Sequence, residues 1–274
     1  MTNISRIVLV TCTCGVAFAG TFVVPSYPID YATTAGNNSF PVGTTASRFQ
    51  EIVGSGQFYG AMLITGLRFR AAAGTGPLSF NYSSLKITLS TSHAYPNTNN
   101  GHTLVSTTFD NNVGPDATVV YNAPFSGSSQ GCSGPAPCPF DIAIPFSTAF
   151  PYDPSKGRLL VDILTPATST TGKWDVVTFP DNTSSSMAFV QGSPTNATGQ
   201  LGLGGIILGL DTTTPLITSV SNAATNIVAG LPNASIAQGA IFVIKGINLG
   251  PANISYSSTP FQSTTVTGTS ASVT

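Results

Sequence analysis

Closely spaced carboxylate and amide side chains form the group in this sequence that is best suited to bind a ligand. Asp110, Asn112 and Asp116 bring oxygen ligands together around a glycine-containing turn. Calcium takes about six to eight oxygen ligands, so these residues are candidate ligands of a structural calcium ion. The run lacks the spacing and terminal glutamate of an EF-hand, which favours an ordinary polar loop over a calcium site. No other cofactor is predicted.

Groups for acid, base or nucleophilic catalysis are few. The chain has 10 acidic residues, of which Glu51 is the single glutamate, and 2 histidines, His93 and His102. Glycoside hydrolysis needs two positioned carboxyl groups, and a serine hydrolase needs a nucleophile, a histidine and an orienting acid. Asp141 and Asp162 alternate with apolar residues and are predicted to point to solvent. The sequence therefore predicts a protein that is not an enzyme.

Aromatic side chains offer a second kind of site. Glycan-binding sandwich proteins stack sugar rings on exposed aromatic side chains while polar groups hold the hydroxyls. Trp174, Tyr95 and Tyr152 are the candidates for such a surface. Trp174 precedes the apolar pair Val176 and Val177, which favours core packing as the alternative.

The first 19 residues have the pattern of a cleaved secretory signal peptide. One cation, Arg6, precedes an apolar run of roughly 10 residues, and small residues follow at 17 and 19. A membrane anchor is the weaker interpretation, because a spanning helix needs about 20 apolar residues. We therefore predict a secreted or cell-surface protein whose mature chain begins near Gly20.

Removal of the signal peptide also removes two of the four cysteines, Cys12 and Cys14. Cys132 and Cys138 remain, in a turn-rich segment that can bring their thiols together. An exported protein can keep such a pair oxidised, so a disulfide is predicted. A redox or metal site is the alternative, but zinc needs about four ligands and no further His or Cys lies nearby.

Charged residues make up only 7% of the chain, against about 25% in ordinary globular proteins. The formal net charge is -1, and loss of Arg6 lowers it by one unit. Binding of nucleic acid depends on many phosphate-neutralising cations, so no nucleic-acid partner is expected. No later segment has an apolar run long enough to span a membrane.

Apolar and polar residues alternate in residues 85–89, 140–146 and 159–163, which predicts strands with one buried face. Short strands joined by Gly, Pro, Asn and Ser loops predict an all-β fold. We expect an antiparallel β-sandwich of jelly-roll type over residues 20–211. The polar, proline-containing stretch 212–216 is predicted to be a linker.

Two motifs near the end of the chain carry a family resemblance. Pro215-Leu216-Ile217-Thr218-Ser219-Val220 precedes a strand-like stretch that ends in Gly246-Ile247-Asn248-Leu249-Gly250. They resemble the opening of an IPT/TIG-like immunoglobulin-type module of exported soil-bacterial proteins. The resemblance implies an incomplete immunoglobulin-like β domain over 217–274, since a full module has about 100 residues. Residues 47–175 resemble, more weakly, sandwich domains of exported bacterial proteins.

Two functions from different classes follow. The first is a noncatalytic extracellular or cell-surface protein with an adhesive, glycan-binding or structural role, whose partner is an extracellular glycan or a surface protein. The alternative is the N-terminal fragment of a secreted polysaccharide-degrading enzyme whose catalytic domain lies beyond residue 274. The scarcity of His, Glu and nucleophile motifs favours the first.

Overall fold

Two compact units make up the chain. One comprises Thr21–Asp211, and the other comprises Met1–Gly20 with Thr212–Thr274. The division falls where the sequence predicts the linker to begin. The computed structural model describes residues 20–25, 45–96, 104–134, 137–167, 173–179, 186–213, 216–223, 242–247 and 249.

Strands dominate the larger unit. β1 to β11 are Gly20–Val24, Ser47–Val53, Met62–Phe69, Leu78–Ser92, Thr118–Ser129, Ile142–Tyr152, Arg158–Thr165, Val176–Thr178, Met187–Gly192, Gln200–Ile206 and Leu208–Thr212. Two short 3-10 helices, Ser55–Gln57 and Phe109–Asn112, lie between strands. No helix in the described part of the chain is long and apolar enough to span a membrane.

The strands of the larger unit form two sheets. Seven strands lie in the order β5-β4-β7-β2-β9-β10-β8, and four lie in the order β1-β11-β3-β6. β2 pairs with β7 and β9, and β4 pairs with β5 and β7, all antiparallel. The chain changes sheet after β1, β2, β3, β5, β6 and β10. The predicted all-β antiparallel sandwich is confirmed, and repeated crossing between sheets is typical of jelly-roll connectivity.

The predicted alternation holds in strands that have one face in the core. In β4, Leu85, Ile87 and Leu89 are buried while Lys86 is exposed. Ile142 and Ile144 in β6 are buried in the same way. Successive side chains of a pleated strand point to opposite faces, so apolar residues at every second position identify the buried face.

β7 departs from that rule because it lies inside the seven-stranded sheet and both of its faces are covered. Asp162 is only 3% exposed, so the prediction that it points to solvent is wrong. Residues 104–114 supply the groups that cover it. Asp141, just before β6, is exposed as expected.

A small apolar cluster attaches residues 104–114, called here the covering segment, to the sheet. Phe109 is fully buried at its centre, and Val113 packs against it. The cluster consists of Ile52, Ala94, Val105, Phe109, Leu160, Ala188 and Val190. Burying these side chains removes apolar surface from water, which holds the covering segment against β2, β7 and β9.

The predicted disulfide between Cys132 and Cys138 is present, with the two Cα atoms 5.6 Å apart. Cys132 also exchanges backbone hydrogen bonds with the turn before β4. Its N–H donates to the oxygen of Thr75 at 2.7 Å, and its oxygen accepts from the N–H of Gly74 at 2.8 Å. The disulfide therefore lies in a loop that is tied to a second turn.

In the smaller unit, β12 (Leu216–Asn222) and β13 (Phe242–Ile247) form an antiparallel pair with an irregularity between Ile217 and Ser219. Most of the remaining residues of 217–274 lie outside the described residues, so the immunoglobulin-like module stays a prediction. The signal peptide predicted at residues 1–19 also lies outside them.

Replacing both Cys132 and Cys138 by alanine is expected to lower the free energy of unfolding by about 2 kcal/mol, because the unfolded chain loses a covalent restraint. Denaturant unfolding followed by the fluorescence of Trp174 measures the change. Reductant should destabilise the wild type and leave the double variant unchanged. Equal stability of the two proteins without reductant would contradict the expectation.

Candidate functional site

An open groove lies at one end of the seven-stranded sheet, where β2 begins and β9 meets β10. Its volume is about 920 Å³, and none of the described side chains that line it is charged. Hydroxyl and amide groups come from Ser47, Gln191, Ser193, Asn196, Thr198 and Gln200. The groove can donate and accept hydrogen bonds, and its described lining residues carry no carboxyl or imidazole group.

The register of the hairpin formed by β9 and β10 brings two of these amides together. Gln191 lies directly opposite Gln200, and on its other side it lies opposite Phe49 of β2. Directly paired residues of antiparallel strands place their side chains on the same face. The amides of Gln191 and Gln200 are therefore neighbours on one wall of the groove.

Phe189 forms the apolar part of the groove. Its ring stacks on Phe49, with centroids 5.5 Å apart and planes 19° apart. Gly202, its partner on β10, lies so close that a Cβ atom there would overlap the ring. Phe189 is thus held between two neighbours.

The covering segment holds the turn of this hairpin, residues 193–199. The N–H of Phe109 donates to the oxygen of Ala197 at 3.1 Å, and the N–H of Gly199 donates to the oxygen of Thr107 at 2.9 Å. The Phe109 ring lies against Gly199, where no larger residue would fit without movement. The covering segment therefore fixes the turn that forms this wall of the groove.

A polar network in turn holds the covering segment on the sheet. Arg48 donates through Nη2 to Oδ2 of Asp162 at 2.7 Å, and its guanidinium carbon lies 4.7 Å from the Phe109 ring centroid. Gln50 donates through Nε2 to Asp162 Oδ2 at 2.9 Å. Its Oε1 accepts from Nδ2 of Asn112 at 3.0 Å. Hydrogen bonds therefore run from β7 through β2 to the covering segment.

Each residue predicted to bind calcium has a hydrogen-bond partner in the protein. Asp110 is exposed, and its Oδ1 accepts from Nη1 of Arg48 at 3.3 Å. Asn112 is buried in the network just described. Asp116 accepts through Oδ1 from the N–H of Thr91 at 2.7 Å. These contacts match a polar loop, and calcium binding stays a prediction.

No group of three His, Cys, Asp or Glu side chains that could hold a metal ion occurs within the described ranges. Of the two histidines, His93 is exposed, and His102 lies outside the described residues.

The aromatic residues predicted to bind a ligand do not line the groove. Trp174 is fully buried and packs edge-on against Phe69, with centroids 6.2 Å apart. Tyr152 is 1% exposed. Neither ring offers a face to a sugar, and core packing, the alternative interpretation for Trp174, is what the structure shows. Tyr95 is half-buried, with Arg158 over its ring.

Glu51 lies in the interior of the larger unit. Its Oε2 accepts from the N–H of Ile206 at 2.8 Å, and its Oε1 has no hydrogen-bond partner among the described residues. Burial raises the pKa of Glu51 well above its usual value, although the bond from Ile206 opposes the shift. The carboxyl group is enclosed, so it is not placed to act on a substrate.

Sequence patterns do not reveal the groove. Its turn, residues 193–199, reads as an ordinary polar loop, and Gln191 and Gln200 lie far enough apart in sequence to suggest no common site. The pairing of Gln191 with Gln200 could be predicted only if the strand register were already known, because the register decides which side chains share a face.

Replacing Asp162 by alanine is expected to lower the free energy of unfolding by about 2 kcal/mol, since Arg48 and Gln50 lose their hydrogen-bond acceptor in a mostly buried site. Asp110→Ala is the matched control, because it removes the other carboxylate that contacts Arg48, and the Asp110 side chain is 86% exposed. The control should leave stability nearly unchanged. Equal losses in denaturant unfolding would contradict the assigned role of the buried pair.

Replacing Glu51 by glutamine is expected to stabilise the protein increasingly as the pH rises above the ordinary glutamate pKa of about 4.3. The folded state keeps this proton to a higher pH than the unfolded chain does, so it binds more protons in that window. The wild type then loses up to about 1.4 kcal/mol of unfolding free energy per pH unit. Glutamine does not titrate and escapes the loss.

Unfolding measured from about pH 4 to about pH 8 checks this expectation. The stability difference between the wild type and Glu51→Gln should grow with pH. A difference that stays constant across the range would contradict it.

Compared with known proteins, the chain matches no protein-family model, no curated protein and no solved structure. The fold and the groove therefore rest on the residues and geometry described above.

Proposed function

We propose that this chain is a noncatalytic, exported extracellular or cell-surface protein that binds a glycan in the groove. The observation that carries the proposal is the lining, which combines hydroxyl and amide groups with one aromatic ring and no charge. Sugar hydroxyls both donate and accept hydrogen bonds, and side-chain amides and hydroxyls match them in both roles.

The fixed backbone behind the groove supports a binding role. Two backbone hydrogen bonds and the buried Phe109 ring hold the 193–199 turn. A wall that is already ordered loses less conformational entropy when a ligand binds. Less of the favourable contact energy is then spent on ordering the protein.

The positions of the carboxyl groups favour binding over catalysis. Asp162 and Asp175 are buried and paired with Arg48 and Arg70, and Glu51 is enclosed. Hydrolysis of a glycosidic bond needs two carboxyl groups beside the substrate. The described lining residues of the groove include no carboxyl group.

Export belongs to the same proposal. The signal-peptide pattern of residues 1–19 supports it, as does the disulfide, because disulfides persist mainly in oxidising compartments. The partner would be an extracellular glycan or a glycan-bearing surface protein, which gives the chain an adhesive or structural role. The β12–β13 pair is compatible with the start of an IPT/TIG-like module.

A glycan array followed by calorimetry tests the proposal. A glycan bound by the wild type should bind at least about tenfold more weakly to the Gln191→Ala/Gln200→Ala double variant, which loses two hydrogen-bonding groups. Asn122→Ala is the matched control, because this exposed amide lies on β5 at the opposite edge of the same sheet. An array without binders, or equal affinity of wild type and double variant, would contradict the proposal.

A further inference from the structure

Arg158 is placed unlike the other described arginines. It is the first residue of β7 and lies opposite Ser92, the last residue of β4. Its guanidinium carbon lies 3.1 Å from the ring centroid of Tyr95, three residues beyond Ser92. The side chain is half-buried.

The three other described arginines each bind a carboxylate: Arg48 binds Asp162, Arg68 binds Asp211 and Arg70 binds Asp175. Among the described residues, the guanidinium of Arg158 has no ion pair and no hydrogen-bond acceptor. The nearest acid in sequence, Asp153, is occupied by Ser155 and Lys156. Within the described part of the chain, Arg158 is thus a half-buried cation without a counter-ion, and its N–H donors have no acceptor there.

Stacking on Tyr95 prepares Arg158 to bind an anion. A guanidinium group that lies over an aromatic ring is attracted by the ring and keeps the N–H donors at its edge free. Those donors form a planar fork that matches the two oxygens of a carboxylate. Because the ring already restricts the side chain, less rotational freedom is lost on binding.

We propose that Arg158 and Tyr95 form a second binding site, which recognises the carboxylate of a sugar acid. The choice of a sugar acid over an acidic peptide rests on the proposed glycan-binding function. The site itself is separate from the groove. Ser47 lines the groove, whereas Val53, at the other end of β2, pairs with Leu159 beside Arg158. The length of β2 puts the two sites about 20 Å apart.

The experiment measures binding of galacturonate oligomers to the full chain by calorimetry. Arg158→Gln should weaken binding at least about tenfold, the usual worth of a charge-assisted hydrogen bond. Arg158→Lys keeps the charge but not the planar fork, and it should also weaken binding. Lys86→Gln, which removes an exposed cation elsewhere on the sheet, is the matched control and should bind as the wild type does.

Neutral galactose oligomers of the same length and poly-glutamate serve as comparison probes. Preference for galacturonate over both supports the proposal. Equal loss of affinity in Arg158→Gln and Lys86→Gln would overturn the proposal, because the attraction would then be non-specific. The absence of galacturonate binding would also overturn it, and so would equal binding of galacturonate and poly-glutamate. The melting temperature of each variant shows that the fold is intact.

Galacturonate binding that depends on Arg158 would stand even if Gln191→Ala/Gln200→Ala had no effect on any glycan. Conversely, glycan binding that depends on the groove amides would stand if galacturonate did not bind. The two proposals therefore fail separately.

Discussion

The bond between Arg48 and Asp162 anchors the polar network that holds the covering segment on the seven-stranded sheet. It places a charged pair on one face of the seven-stranded sheet, and Gln50 and Asn112 extend it to the covering segment. The pair is tolerated in a largely buried position because its oxygens and N–H groups find partners. Those partners also determine where the covering segment lies.

The groove follows from that attachment. The covering segment brings Phe109 under the 193–199 turn and supplies two backbone hydrogen bonds to it. The turn then forms one wall of a groove whose other side begins at Ser47. A surface lined by uncharged groups is thus supported by a charged network that lies behind it, so the site and the fold are not independent.

Prediction from sequence succeeded where one physical rule acts alone. Leu85, Ile87 and Leu89 lie on one face of β4 because a strand with a single covered face must alternate. Cys132 and Cys138 are close in sequence, so their pairing needed little knowledge of the fold. The rule failed at Asp162, because residues distant in sequence cover the second face of β7. Alternation of apolar and polar residues identifies a strand with one buried face, whereas this sheet has apolar packing on both faces.

The sequence by itself determined the class of the molecule: antiparallel strands, the Cys132–Cys138 disulfide and few charges. Only the tertiary structure decided which polar side chains are buried in the fold and which remain exposed to a ligand. Asp162 and Glu51 were enclosed, Trp174 entered the core, and Gln191 met Gln200 at the groove. The physical reason is that strand periodicity is local, whereas burial and register depend on which distant segments pack together.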